Sequence, residues 1–195
     1  MPVAQASPIL VPPALTPSDP AVYAAREDGE RTLAAIDVAA IHPELLRNRV
    51  SFATAEAPGT IVIDTRGPFL YFVEPEGMAT RYGIAIGREG FGWTGTGVIA
   101  RSARWPGWTP PPAMIKRDPS LAEWAGGMPG GMQNPLGARA LYIYFGGRDS
   151  GYRIHGTNQP SSIGWAASSG CFRMLNQDVV DLYGRVAMGA KLVVR

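Results

Sequence analysis

The chain has 195 residues, enough for one domain with an adequate core. Its formal net charge is +2, and the 18 Lys and Arg are scattered rather than gathered in runs, so no strong field draws it to nucleic acid or to a membrane surface. No apolar run approaches the roughly 20 residues a membrane span needs, and one cysteine excludes an intrachain disulfide while leaving the redox compartment open.

In chain order, Ala4-Gln5-Ala6 is the small-x-small pattern that signal peptidase reads. One expectation is therefore that the sequence begins near the end of a removed export signal, chance in an alanine-rich stretch being the alternative. Pro8, Pro12, Pro13, Pro17 and Pro20 prevent regular helix, so residues 1–20 read as an extended, flexible arm. Residues 21–49 form a mixed N-terminal extension, with a short helix expected over Pro43-Glu44-Leu45-Leu46-Arg47. The domain proper is expected over residues 50–195.

From residue 50 the pattern changes to short strands divided by glycine and proline. Thr60–Asp64 and Phe69–Val73, joined through Arg66-Gly67-Pro68, read as a hairpin. Further strands are expected over Thr80–Ile86, Gly97–Ser102, Ala140–Tyr144, Tyr152–His155 and Lys191–Val194. Asn176–Tyr183 is the clearest helix, with Asn176 as N-cap and Asp178 and Asp181 near the first turns, where negative charge suits the dipole. The glycine-, proline- and tryptophan-rich stretch from Trp105 to Gly137 is too long for an ordinary connection. It reads either as a lid or wall of a substrate groove or as a loop covering one sheet face.

Cys171 is the only cysteine, in Ser168-Ser169-Gly170-Cys171-Phe172-Arg173-Met174. A lone cysteine is more often a small buried hydrophobe than a nucleophile. Here two serines and a glycine precede the sulfur and leave it little apolar surface to pack into. A thiol attacks as its thiolate, which a neighbouring imidazole makes accessible. Only His42 and His155 exist; His42 precedes Pro43 outside the expected core and suits a structural or surface role. His155 closes a strand and is followed by Gly156, so His155 and Cys171 form the credible pair. No Asp or Asn has a compelling claim to orient the second imidazole nitrogen, and a backbone carbonyl near Gly156 would do the same work. The N–H groups of Gly170 and Cys171 are candidate oxyanion donors. Arg173 suits a substrate carboxylate, its alternative being a surface salt bridge.

Other sites fare poorly. Two distant histidines and one cysteine do not make a zinc site, so no metal is expected. Gly87-Arg88-Glu89-Gly90-Phe91-Gly92 lacks the Lys-Ser/Thr and the helix of a phosphate loop and reads as a β-turn. Glu74 and Glu76 flank Pro75 in a turn, which makes a weak glycosidase pair.

Taken together, Ile154-His155-Gly156-Thr157-Asn158-Gln159-Pro160, Ser162-Ile163-Gly164 and Ser168–Asn176 resemble the signature of the L,D-transpeptidase catalytic domain. The likeness extends to Asn134–Tyr142, the Trp-Pro loop and Val186–Val194, and so covers most of residues 58–195. It implies a mainly β fold, an L,D-transpeptidase-type β-sandwich with one short helix after the cysteine and a long loop lining the groove. It also implies Cys171 as nucleophile and His155 as general base and acid, with Gly156, Ser169, Gly170 and Arg173 supporting them, and no cofactor. The implied reaction is attack on the third-residue carbonyl of a peptidoglycan stem tetrapeptide, release of D-Ala, and transfer of the acyl group to an amine. That amine belongs to another stem, giving a 3→3 cross-link, or to an outer-membrane protein. The implied location is periplasmic or cell-wall-associated. Ser169 stands where many members have a second histidine, and Phe172 where an aliphatic residue is frequent, which bears on donor specificity and on tuning of the thiol. The rival readings are a cysteine L,D-carboxypeptidase and a non-catalytic module that binds wall peptides.

Overall fold

Isoleucine, valine and aromatic runs bounded by glycine and proline become strands because branched and flat side chains pack well on a pleated, half-buried surface. The computed structural model describes residues 16–17, 19–87, 94–165 and 171–195. Its strands are β1 (Thr16–Pro17), β2 (Arg26–Asp28), β3 (Arg31–Leu33), β4 (Asn48–Ser51), β5 (Ile61–Asp64), β6 (Phe69–Val73), β7 (Met78–Ile86), β8 (Gly95–Arg104), β9 (Arg139–Phe145), β10 (Arg148–His155), β11 (Phe172–Met174) and β12 (Lys191–Val194). Two α-helices, α1 (Pro112–Arg117) and α2 (Asn176–Arg185), accompany several 3₁₀ turns. Among the described residues no helix is long and apolar enough to cross a membrane.

The large sheet runs β1-β4-β7-β11-β10-β9-β8-β12-β5-β6, and β6 pairs back onto β7. The strands thus wrap around an interior, the mainly β, sandwich-like architecture the resemblance implied. Alternate residues point inward: Ile61 and Ile63, Leu141 and Ile143, Ile154, Phe172 and Met174 are all fully buried and belong to one core cluster. The apolar face of α2 joins them through Val179 and Leu182.

The expected hairpin is present, with Ile61 opposite Phe72 and Asp64 opposite Phe69. Each of the other expected strands is also present, most of them longer than the sequence pattern suggested. Pro43–Leu45 closes only a 3₁₀ turn where a helix was expected over residues 43–47, with the His42 ring accepting from the Glu44 N–H at 3.4 Å. The helix after the cysteine runs to Arg185, and its N-cap is Leu175 with no side-chain bond. Asn176 is therefore not the cap; it is already helical, and its amide is directed elsewhere. Residues 88–92 of the expected glycine-rich turn and nearly all of the proline-rich arm lie outside the described residues.

Residues 19–49 pack onto the sheet and the helix. Tyr23, 1% exposed, donates its hydroxyl to Asp178 (3.0 Å to Oδ1) and accepts the Arg47 N–H at 2.7 Å. Gln177 Nε2 donates to the Ala34 carbonyl at 2.7 Å. Arg47 pairs with Asp181 at 2.8 Å, and Asp181 also accepts the Tyr82 hydroxyl at 2.6 Å. Asp178 lies in the first turn of α2, as expected, and it and Asp181 also tie this segment, β7 and α2 together. Burial pushes the Asp178 carboxyl up to about 7 against the opposing pull of Arg47.

Phe172 explains its own departure from the frequent aliphatic form, because its ring fills the core beneath β11. Phe172→Ala is expected to lower the unfolding free energy by about 3–5 kcal/mol. Urea denaturation followed by far-UV circular dichroism measures it, and a loss below about 1 kcal/mol would contradict this packing.

Candidate active site

The site grows from one parallel strand pair. β10 and β11 run side by side with Ile154 opposite Phe172 and His155 opposite Arg173. Because paired residues share a face, Ile154 and Phe172 enter the core while His155 and Arg173 point to the other side. Cys171 immediately precedes β11 and returns to that outer side; its carbonyl accepts the Gly87 N–H at 3.1 Å. The neighbours of His155 and Arg173 across the sheet are Ala140 and Ala85.

Two cavities meet at the thiol. The larger, about 590 Å³, is lined by Cys171 with Arg101, Tyr142, Tyr152 and Arg153. The smaller, about 420 Å³, is lined by Cys171 with His155, Arg173, Asn158 and Gln159. Trp108, Met114 and Leu136 of the 105–137 stretch line both. That stretch is therefore a wall of the groove, and α1 is embedded in it. It is ordered by Asn134, only 1% exposed, whose Nδ2 donates to the carbonyls of Pro106 and Pro129 at 3.1 Å. Its entrance is held by Asp28, which takes a two-pronged ion pair from Arg139 at 2.6 Å and the Trp105 indole N–H at 2.8 Å.

His155 is 4% exposed. Its Nδ1 lies 2.6 Å from the Gly156 carbonyl, which can only accept, so Nδ1 carries the hydrogen and Nε2 is left with the lone pair. Loss of water drives the imidazole pKa down to about 4, with the Gly156 carbonyl opposing, Arg173 and Arg153 pushing the same way as burial, and the Pro135 carbonyl also opposing. The ring is neutral at pH 7. Arg173 is half-buried, and burial lowers its pKa while Cys171 pulls it back up, which places the guanidinium within electrostatic reach of the sulfur.

The Gly156 peptide is held by Asn176. Its Oδ1 accepts from Ala138 N at 3.0 Å and Thr157 N at 3.3 Å, and its Nδ2 donates to Thr157 O at 2.8 Å. A Cβ on Gly156 would run into that Asn176 oxygen, so only glycine fits. The same oxygen, with the Thr157 backbone, bars a side chain at Gly137, whose φ is +62°.

The structure thus brings Cys171, His155, Gly156 and Arg173 together. Ser169 and Gly170 lie outside the described residues, and His42 is exposed at the surface, where it was expected. Asn176, Asn134, Tyr142 and Arg101 were not picked out as site residues. Asn176 had a signal in its place five residues after the cysteine, and Asn134 and Tyr142 in the stretch that carries the resemblance, whereas Arg101 had none.

The YkuD family model, described as the L,D-transpeptidase catalytic domain, matches residues 58–194. The Escherichia coli K12 protein named Probable L,D-transpeptidase ErfK/SrfK is 34% identical over 141 residues, 68% of this chain and 42% of that protein. The chain therefore spans less than half the length of that relative. A crystal structure from Brucella melitensis, described as a Probable carnitine operon oxidoreductase caia, shares 48% identity with a TM-score of 0.55 and covers 82% of this chain and 99% of its own. A mutant Enterococcus faecium L,D-transpeptidase matches in fold, at 13% identity and a TM-score of 0.52, over 70% of this chain and 49% of its own.

Because His155 is held neutral, protonation below its ordinary pKa of 6.5 favours the unfolded chain. Its contribution is complete above pH 6.5 and is lost as pH falls toward about 4. Asp178 acts with the opposite sign, so the readable quantity is wild-type stability minus that of His155→Gln. This difference is expected to rise from pH 4 to pH 6.5 by up to roughly 3 kcal/mol. Urea unfolding across that range measures it, and a flat difference would contradict a desolvated His155.

Proposed function

We propose that this chain, which belongs to the YkuD L,D-transpeptidase catalytic domain family, is a cysteine acyltransferase acting on peptidoglycan stem peptides in the cell-wall compartment outside the cytoplasm. The observation that carries the reading is the position of Cys171 at the junction of two cavities, with His155 in the wall of one. An acyl carrier needs two approaches, one for the chain it takes and one for the amine it serves.

In the first half-reaction Nε2 of His155 takes the thiol proton as Sγ bonds to the third-residue carbonyl carbon of a tetrapeptide. A neutral imidazole beside a half-buried thiol supports proton transfer during attack rather than a standing ion pair. The carbonyl oxygen becomes an oxyanion, for which the sequence motif offers the backbone N–H groups of Gly170 and Cys171 as donors, Ser169 being the supporting residue that the family resemblance implies. The C–N bond then breaks, His155 returns its proton to the departing nitrogen, and D-Ala leaves a thioester on Cys171.

In the second half-reaction an amine nitrogen bonds to the thioester carbon, the electron pair of the C–S bond stays on Sγ, and the amine proton passes through His155 to the sulfur. The amine is the side chain of a third-position diamino acid, which gives a 3→3 cross-link, or an amine on an outer-membrane protein. Water in its place would make the chain an L,D-carboxypeptidase. Met114, Leu121, Met128, Pro135 and Leu136 line the smaller cavity and suit the aliphatic part of the acyl chain, and the Arg173 guanidinium in the same lining is of the type that suits a carboxylate on it.

Incubation with a disaccharide-tetrapeptide, analysed by mass spectrometry, is expected to yield cross-linked dimer. Tripeptide alone would support hydrolysis instead, and unchanged substrate retained by the protein would support a binding module. Cys171→Ala is expected to lower D-Ala release by roughly a thousandfold or more. Full activity in that variant would overturn both enzymatic readings.

A further inference from the structure

The larger cavity holds a feature that the acyl-transfer chemistry leaves unused. Tyr142 on β9 has Arg101 opposite it on β8 and Arg153 opposite it on β10. Both flanking strands lose regular register beside these residues, between Ile99 and Arg101 and between Asp149 and Arg153. Such irregularities re-aim side chains. Here they place two guanidinium groups over one ring, Arg101 at 3.6 Å and Arg153 at 4.4 Å from its centroid. Extending the β10–β11 register by one residue sets Cys171 beside Arg153. Arg101, Tyr142, Arg153 and Cys171 therefore form one row across the sheet, with the backbone of Arg101 two strands, roughly 10 Å, from that of Arg153 at about 4.8 Å per strand.

The charges along this row are unbalanced. Arg153 is committed to Asp149 by two hydrogen bonds, of 2.7 and 2.9 Å. Arg101 is exposed, and among the described residues no carboxylate stands within ion-pair distance of it, although it also lowers the pKa of Asp149. No described residue lining this cavity is acidic. Stacking on Tyr142 holds the Arg101 fork in place, which reduces the ordering cost of gripping a planar anion.

We propose that this row is a carboxylate-reading subsite for the amine that takes the acyl group, with Arg101 as the specificity-determining residue. The chain then transfers to amines carrying a carboxylate, such as amino acids and diamino acid centres, in preference to the same amines with that carboxylate amidated. The proposal rests on the acyl-transfer reading. Within it, the incoming amine retraces the path of the departing D-Ala, itself a carboxylate-bearing amine, so one anion site serves both.

The test mixes equal amounts of a D-amino acid and its primary amide as competing acceptors with the tetrapeptide donor and measures the ratio of the two transfer products. Because both products arise from the same acylated enzyme, the acylation rate cancels within each sample. Comparing variants cancels the different basicity of the two amines. Arg101→Gln is expected to shift the acid-to-amide ratio toward the amide by about tenfold, the scale of one hydrogen bond to a charged group, and Arg101→Lys by less, since it keeps the charge without the fork. A ratio in Arg101→Gln within twofold of wild type overturns the proposal, while the thioester mass on Cys171 in the same sample leaves the transfer reading standing. Absence of that thioester from wild type overturns both.

Discussion

The pairing of β10 with β11 is the constraint on which the site depends. A parallel register that puts Ile154 against Phe172 in the core necessarily puts His155 against Arg173 on the opposite face, with Cys171 at the strand's entrance. A slip of one residue would turn every one of these side chains over. The two buried side chains resist such a slip, since it would expose an isoleucine and a phenylalanine that are now fully buried. Hydrophobic burial therefore sets the placement of a polar site it does not touch.

A second layer holds what the strands place. Asn176 of α2 ties down the peptide between β10 and the following loop, and the carbonyl of Gly156 in that peptide sets the tautomer of His155. The helix is in turn tied to residues 19–49 through the Tyr23 hydroxyl on Asp178 and Gln177 on the Ala34 carbonyl. These are buried polar bonds with high cost if broken, because water cannot replace a lost partner there. The segment ahead of the expected domain start is thereby part of what steadies the imidazole.

Electrostatics divide the groove. Its shared wall, from Trp108 to Leu136, is largely apolar, whereas the larger cavity presents two guanidinium groups over Tyr142 and the smaller presents Arg173 near the thiol. Burial keeps the pKa of the imidazole low, with the positive charge of Arg173 and Arg153 adding to it, and the same charge suits anionic groups arriving from either direction.

Much of this was legible from the chain alone because the informative signals are local. Alternating apolar residues between glycine and proline predict strands, and the scarcity of histidine leaves His155 as the one partner for Cys171. The Gly156 and Arg173 positions follow from their neighbours. The roles of Asn176, Asp178 and Tyr142 were not legible. Tyr23 meets Asp178 across 155 residues of chain, and Arg101, Tyr142 and Arg153 meet only through two irregular strand pairings. Local pattern marked Asn176 and Asp178 as ordinary helix-start residues, since capping and dipole preferences depend only on near neighbours. By itself the sequence determined the strand pattern and the candidate nucleophile and base, because both follow from residue type and short spacing. Tertiary structure alone decided which faces align and which charged side chains meet over Tyr142, because those depend on register between strands distant in sequence.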